Sequence, residues 1–132
     1  MPEPKTKRTK ASVAQFISAV DDETRRKDAK AIDKMMREIT GAKPAMWGPS
    51  IVGYGEFQTP SGSWPRASFS PRKASLVVYL APESKDAKLL KRLGKHKTGL
   101  CCLYINKLTD VDEGVLRDVI ARSWAHMEEK YR

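Results

Sequence analysis

Two short basic segments contain the side chains most able to do chemistry in this sequence. One is Lys95–Thr98 (KHKT), which lies between two glycines, and the other is Arg72–Lys73, which follows a proline. Glycine adopts positive φ without steric cost, so the flanking glycines predict sharp changes of chain direction. Such a turn can direct backbone N–H groups and cations at an anion. A solvated cationic turn has the same composition, so the segment alone leaves both interpretations open.

The common sequence motifs of enzymes are not found. There is no Walker-type phosphate loop, no G-x-S-x-G, no H-E-x-x-H and no C-x-x-C, and the two histidines are 30 residues apart. Cys101 and His96 could form a nucleophile pair in a cationic loop, but a cysteine in a strand usually packs as a small hydrophobic residue. We therefore predict a binding domain that is not an enzyme and has neither a metal nor a cofactor.

The bulk composition indicates one domain. The chain has 132 residues and a formal net charge of +9, from 25 basic and 16 acidic side chains. This balance permits acidic partners, including nucleic acid, without proving one. The two cysteines, Cys101 and Cys102, are neighbours, so a disulfide scaffold is excluded and a reducing, cytoplasmic location is expected. No apolar run approaches the roughly 18 residues of a membrane helix, so no membrane partner is predicted.

Hydrophobic periodicity and capping residues predict the elements that position these segments. Residues 1–11 are predicted to be a disordered basic tail, and residues 12–132 a single domain. The fold class is α+β, with an antiparallel sheet of about five strands and helices mainly on one face, in the order α-α-β-β-β-β-α-β-α. The predicted helices are Ser12–Val20, Glu23–Thr40, Ser84–Leu93 and Glu113–Glu129, and the clearest strands are Ser50–Tyr54, Trp64–Ser70, Leu76–Leu80 and Leu100–Ile105.

The strand Leu100–Ile105 is apolar on both of its alternating faces, so we predict that it is covered on both sides. A helix layer on one side would cover only one of these faces. Either the terminal helices divide between the two faces, or the second face is a ligand groove or a self-association surface. A homodimer through an apolar sheet face is therefore a possible partner arrangement.

The site hypothesis joins the basic segments to a glycine-rich stretch. Arg72 would bind a carboxylate or phosphate through its guanidinium fork, the lysines would act as point charges, and His96 would tune affinity near neutral pH. Asp28 lies near the edge of the apolar stripe of its helix. It is either a carboxylate that supports the site or an acid that interacts favourably with the positive N-terminal end of the helix. The predicted ligand-binding residues for a small anionic ligand are Trp47, Ser50, Tyr54, Arg72, Lys73, Lys95, His96, Lys97 and Thr98.

A second class of partner is nucleic acid. The predicted helix Ser84–Leu93 carries cations on its outer face, and the N-terminal tail adds more. No recognisable nucleic-acid-binding motif accompanies these cations, and no aromatic side chains that could stack on bases alternate with them. The cations of this face are Lys85, Lys88, Lys91 and Arg92.

Several motifs in order resemble the YdhG-like family, a domain family of uncharacterised function. They are MWGPSIVGYG (Met46–Gly55), FSPRK (Phe69–Lys73), LGKHKTG (Leu93–Gly99) and CLYI (Cys102–Ile105), with RRKDA (Arg25–Ala29) and the TG of Thr40–Gly41. The resemblance implies an α+β fold of small bacterial cytosolic proteins, some of them described as frataxin-like and proposed to chaperone iron. An iron carrier is therefore an alternative function. Carboxylate clusters bind hard cations, whereas the acids of the second helix (Glu23, Asp28, Asp33 and Glu38) alternate with cations.

Overall fold

The structure is a computed structural model that describes residues 7–60 and 62–131. Its elements confirm the α+β class. The helices are α1 (Val13–Ser18), α2 (Glu23–Thr40), α3 (Ala87–Leu93) and α4 (Glu113–Lys130), with 3₁₀ turns at Pro82–Ser84 and Leu108–Asp110. The strands are β1 (Pro44–Trp47), β2 (Ile51–Tyr54), β3 (Phe57–Thr59), β4 (Gly62–Trp64), β5 (Ala67–Pro71), β6 (Leu76–Tyr79), β7 (Lys97–Thr98) and β8 (Cys102–Ile105).

The two long helices begin and end at the residues that the sequence indicates. The side chain of Asp22 accepts a hydrogen bond from Arg25 N at the start of α2, and Gly41 follows the helix with φ of 68°. Asp112 accepts from Val115 N in the same way at the start of α4. These caps satisfy backbone groups that an isolated helix leaves unpaired, so the ends of α2 and α4 are set locally.

Six strands form one antiparallel sheet in the order β1-β2-β5-β6-β8-β7. The sheet has one more strand than the approximate count predicted from the sequence. The short edge strand β7 pairs with β8 so that Lys97 is opposite Tyr104. Strands β3 and β4 form a separate two-stranded hairpin. This hairpin occupies the connection between β2 and β5.

The core lies between one face of the sheet and the helices α2 and α4. This face, called the core face below, presents buried side chains from β1, β2, β5, β6 and β8. Helix α2 contributes one buried stripe, and α4 contributes another. The main core residues are Ala29, Ile32, Met36, Met46, Val52, Phe69, Leu76, Val78, Leu103, Ile105, Leu116 and Ile120.

The opposite face, called the outer face below, is only partly covered. Trp47 is 2% exposed because its ring lies over Gly53, beside Pro65. A Cβ added to Gly53 would lie 2.5 Å from Trp47 Cδ1 and 2.7 Å from Pro65 Cβ, so only glycine fits there. Tyr104, toward the other edge, is 37% exposed. The covering on both sides that we predicted for the strand Leu100–Ile105 therefore fails at β8.

The strand predicted at Leu100–Ile105 is shorter than expected. It begins at Cys102, and Leu100 is 79% exposed while Cys101 is also exposed. Leu80 N donates to Cys101 O, so the chain follows β6 but turns away from the sheet. Apolar composition alone cannot distinguish a buried strand end from an exposed turn, and here the prediction was wrong.

Two other predicted boundaries also change. The helix predicted to begin after Ser84 begins at Ala87, because Asp86 accepts from Lys88 N and Leu89 N while Ser84 belongs to a 3₁₀ turn. The strand predicted at Trp64–Ser70 is interrupted after Trp64, and β5 begins only at Ala67.

Residues 7–9, which belong to the predicted tail, pair with β1 in the structure. Gly48 N donates to Lys7 O, and Thr9 N donates to Met46 O, so residues 7–9 run beside β1. Arg8 also forms an ion pair of 2.9 Å with Glu56. Residues 1–6, which complete the predicted tail, lie outside the described residues.

Candidate functional site

A cavity of about 690 Å³ lies at the end of the sheet where the β5–β6 turn approaches the start of α2. Four separate parts of the chain surround it: the region from α1 to the start of α2, Ser50 in the β1–β2 turn, the β5–β6 turn, and the residues after β8. The lining residues are Phe16, Ala19, Val20, Asp21, Asp22, Thr24, Arg25, Ser50, Pro71, Arg72, Lys73, Asn106 and Lys107. We call this the basic cavity.

Arg25 is the most constrained cation of the basic cavity. It is only 9% exposed, and its Nη1 donates to Asn106 O at 2.8 Å and to Ile105 O at 3.5 Å. The guanidinium has five donor hydrogens, so these bonds fix its position without using all of its donors. Arg25 therefore joins α2 to the end of β8 and places a permanent positive charge beside the cavity.

Arg72 is an exposed cation on the other side of the basic cavity. Its Nη2 donates to the Tyr79 hydroxyl at 3.2 Å, and its Nε lies 3.4 Å from Ser70 Oγ. Ser70 Oγ in turn donates to Ser50 O at 2.6 Å. These contacts attach the Arg72 side chain to the outer face of the sheet and keep Ser50 next to it.

The charges of the basic cavity are unbalanced in favour of cations. Arg25, Arg72, Lys73 and Lys107 line it with only two acids, Asp21 and Asp22, which leaves a local charge of +2. The Asp22 carboxylate is already engaged, because it accepts from Arg25 N at the start of α2. Serine, threonine and asparagine groups add neutral hydrogen-bonding atoms. The arrangement suits a small anion, which would receive charge-assisted hydrogen bonds from several directions.

Three of the predicted site residues, Ser50, Arg72 and Lys73, lie together in this cavity. Two other predicted site residues, Trp47 and Tyr54, lie outside this cavity. Tyr54 is fully buried, and its hydroxyl donates to Asp33 Oδ1 at 2.5 Å, while Trp47 is buried over Gly53. Neither residue lines the basic cavity, because Tyr54 faces the core and Trp47 lies on the outer face over Gly53.

The segment Lys95–Thr98 is separate from this cavity. It lies at the sheet edge formed by β7, and β8 and β6 lie between it and β5, which corresponds to about 14 Å at ordinary strand spacing. His96 Nδ1 is 2.7 Å from Gly94 O, within its own turn. The structure thus divides the predicted residue set: Lys95, His96, Lys97 and Thr98 do not line the basic cavity.

Asp28 has a structural partner. Its Oδ2 accepts from Leu108 N at 3.1 Å, one turn along α2 from the contact between Arg25 and Asn106. Residues 105–108 are therefore fixed to α2 by two hydrogen-bonding side chains. The backbone position of Lys107 is therefore fixed as well, because Lys107 lies between these two contacts.

Sequence reasoning missed Arg25 and Lys107 as site residues. A signal for Arg25 was present: it precedes Ala29 and Ile32 by four and seven residues, so it lies on the buried stripe of α2. A cation on such a stripe requires a partner, which here is a pair of backbone carbonyls. Lys107 carried no comparable signal, because it follows a strand in an ordinary polar turn.

No group of three or more metal-ligating side chains occurs among residues 7–60 and 62–131. The acids of α2 have other contacts: Asp33 accepts from Tyr54 and Arg37, and Glu38 pairs with Arg117 at 2.6 Å. Glu23 Oε1 lies 3.5 Å from Lys27 Nζ, one turn along the helix. The helix therefore offers no ridge of adjacent unpaired carboxylates for a hard cation.

Comparison of the chain with protein-family models, curated proteins and solved structures finds no significant match. The resemblance to the YdhG-like family stays a prediction. Within the part of the chain that the structure describes, no helix is long and apolar enough to cross a membrane.

Proposed function

We propose that this domain binds a small anion in the basic cavity. The observation that supports the proposal is the convergence of Arg25, Arg72, Lys73 and Lys107 from three distant segments on one cavity. A phosphate or carboxylate group is the ligand chemistry that such donors recognise. Arg25 supplies a positioned guanidinium, and the exposed Arg72 and Lys73 supply charges that can close over the ligand.

Two other functions have less support. An iron carrier, the function suggested by the YdhG-like resemblance, would need a carboxylate cluster, and the acids of α2 are instead engaged with Arg37, Arg117 and backbone groups. A nucleic-acid binder would use the solvent-exposed side of α3. One of its predicted cations, Lys85, donates to Gly99 O, which leaves Lys88, Lys91 and Arg92 exposed on a short helix.

A titration of the protein with inorganic phosphate, followed by ¹H–¹⁵N NMR, tests the proposal. We expect saturable shifts of the amides of Arg25, Ser50, Arg72, Lys73 and Lys107, which line or border the cavity. The amides of Lys95–Thr98 should not move in parallel, because that segment does not line the cavity. Shifts confined to Lys95–Thr98 would contradict the assignment of the anion to the basic cavity.

Matched charge-removal variants refine the test. Arg72→Ala should weaken phosphate binding about tenfold, the effect expected of a charge-assisted hydrogen bond. Lys91→Ala removes an exposed cation from α3, outside the cavity, and should leave the affinity within about twofold. Equal losses in the two variants would mean that phosphate responds only to net charge, and would refute a defined site.

A further inference from the structure

A second cavity, of about 380 Å³, lies at the opposite end of the sheet on its outer face. Its floor is formed by the sheet, one side by the β3–β4 hairpin, and the other side by the 3₁₀ turn at Pro82–Ser84 and the end of α4. The lining residues are Ile51, Phe57, Trp64, Pro65, Arg66, Ser68, Tyr79, Leu80, Ala81, Pro82, Glu83, Cys101, Met127, Lys130 and Tyr131. We call this the aromatic cavity.

Aromatic rings from three elements surround the aromatic cavity. Phe57 and Tyr131 stack with their ring centroids 4.2 Å apart, which joins the hairpin to the end of α4. Trp64 Nε1 donates to Thr59 Oγ1 at 3.1 Å, so the indole is held within the hairpin. Tyr79 comes from β6, on the outer face of the sheet. All four rings remain half-buried, so they present apolar surface that the protein itself does not cover.

Arg66 supplies hydrogen-bond donors at this cavity. Its Nη2 donates to Tyr131 O at 3.0 Å, and its guanidinium carbon lies 6.0 Å from the centroid of the Trp124 ring. Its Nε atom is buried and has no hydrogen-bond partner among the described residues. The guanidinium has five donor hydrogens, and the bond to Tyr131 O uses one of them, so Arg66 can also donate to a ligand oxygen.

The charged side chains of the aromatic cavity sum to one positive charge. Lys130 Nζ lies 3.2 Å from Glu83 Oε1, so these two side chains neutralise each other. Arg66 then has no acidic partner within the cavity lining. The complementary occupant therefore carries one negative charge and a flat apolar body.

We propose that the aromatic cavity binds a small aromatic monocarboxylate, with its ring among Phe57, Trp64, Tyr79 and Tyr131 and its carboxylate at Arg66. The cavity volume falls within the range usual for small-molecule sites, and its lining is mostly apolar with a few polar groups. This site is distinct from the basic cavity, with which it shares no lining residue. A domain with both sites would bind two different anionic ligands.

A charge series built on one ring system tests the proposal on the unmodified protein. Indole-3-acetate, tryptophol and tryptamine present the same indole with a negative, a neutral and a positive substituent. We expect indole-3-acetate to bind about tenfold more tightly than tryptophol, and tryptamine to bind least, because only the carboxylate can form a charge-assisted hydrogen bond with the Arg66 guanidinium. NMR shifts should appear at Arg66, Ser68, Tyr79 and Tyr131. Equal affinity across the series, or no binding of indole-3-acetate at about 5 mM, would overturn the assignment.

Cys101 provides an independent reporter, since its exposed thiol lines the cavity. In a Cys102→Ser background, indole-3-acetate should slow the labelling of Cys101 by a maleimide at least threefold. The matched variant Cys101→Ser leaves only Cys102, which does not line the cavity, and its labelling rate should be unaffected. Equal protection of both thiols would indicate a general effect on the protein and would contradict the proposal.

The variant Arg66→Lys separates charge from geometry, because it retains a cation and removes the planar guanidinium fork. It should weaken indole-3-acetate about tenfold and leave phosphate affinity unchanged, whereas Lys73→Ala should have the converse effect. Thermal unfolding of each variant checks that the fold is retained. An Arg66→Lys protein that is folded and binds indole-3-acetate at the original affinity would refute the role of Arg66. If the unmodified protein binds indole-3-acetate but not phosphate, that result would refute only the anion site proposed in the basic cavity.

Discussion

The variant Tyr54→Phe should show a stability loss that depends on pH. Tyr54 is fully buried, and its hydroxyl donates to Asp33 Oδ1 at 2.5 Å, while Asp33 also accepts from Arg37 Nε at 3.1 Å. Removing the hydroxyl deletes one charge-assisted hydrogen bond and leaves the carboxylate its arginine partner. We expect a loss of about 2 kcal/mol in the free energy of unfolding near pH 8.

The sign of the pH dependence follows from the pKa of the phenol. Burial, and secondly the hydrogen bond to Asp33, raise the pKa of Tyr54 far above its ordinary value. Below about pH 10 the phenol is protonated in both the folded and the unfolded protein, so it adds no pH dependence. Above that pH the unfolded chain releases the proton and the folded protein retains it. Stability conferred by Tyr54 is therefore fully present below about pH 10 and is lost as pH rises further.

The magnitude at pH 11 follows from linkage. One pH unit above the unfolded pKa, the wild-type protein has lost about 1.4 kcal/mol that Tyr54→Phe cannot lose. The difference between the two proteins should therefore fall from about 2 kcal/mol at pH 8 to about 0.6 kcal/mol at pH 11. Effects of the other titrating groups are common to both proteins and cancel in this difference.

Urea unfolding of both proteins at several pH values between 8 and 11 measures this difference. Tyrosinate absorbance of the folded proteins gives a second reading: at pH 11 wild type and Tyr54→Phe should contain equal amounts of tyrosinate, because Tyr54 is not ionised. A stability difference that stays constant over this pH range would refute the reasoning. So would one additional tyrosinate in folded wild type, since either result means that the buried phenol ionises normally.

Two further substitutions test the packing around the cavities. Gly53→Ala should destabilise the protein by about 2 kcal/mol in urea unfolding, because its Cβ would lie 2.5 Å from Trp47 Cδ1 and 2.7 Å from Pro65 Cβ; an unchanged midpoint would show that the Trp47 ring is not held there. Ser123→Ala removes the hydroxyl that accepts from Ala81 N at 2.8 Å in a buried position, and should cost about 1–3 kcal/mol with faster hydrogen exchange of the Ala81 amide. Unchanged exchange of that amide would contradict the assigned bond.

Local sequence signals were sufficient for the long helices. Helix α2 runs from Glu23 to Thr40 as predicted, because the Asp22 cap, the apolar stripe and Gly41 agree with one another. The α+β class and the antiparallel sheet also follow from element order and short connections. These features depend on residues near one another in the chain, so they can be read without knowledge of tertiary contacts.

Predictions that depended on what covers a residue were less successful. Leu100 and Cys101 have the composition of a buried strand, yet Leu100 is 79% exposed because β8 begins only at Cys102. Tyr54 and Trp47 have polar ends that suggested a ligand wall, but both are buried. Whether an amphipathic ring faces a ligand or the core depends on sheet register and on the neighbours across it, which periodicity does not specify.

The sequence by itself determined the long helices α2 and α4 with their N-terminal caps, the fold class and the presence of basic turns at Arg72–Lys73 and Lys95–Thr98. Only the tertiary structure decided which cations share a cavity. It joined Arg72 and Lys73 to Arg25 and Lys107, and left Lys95–Thr98 at the β7 edge, because strands β6 and β8 lie between the two turns. It also formed the aromatic cavity, whose walls come from the hairpin, the sheet and the end of α4. Strand order sets these distances, and residues far apart in the chain determine strand order.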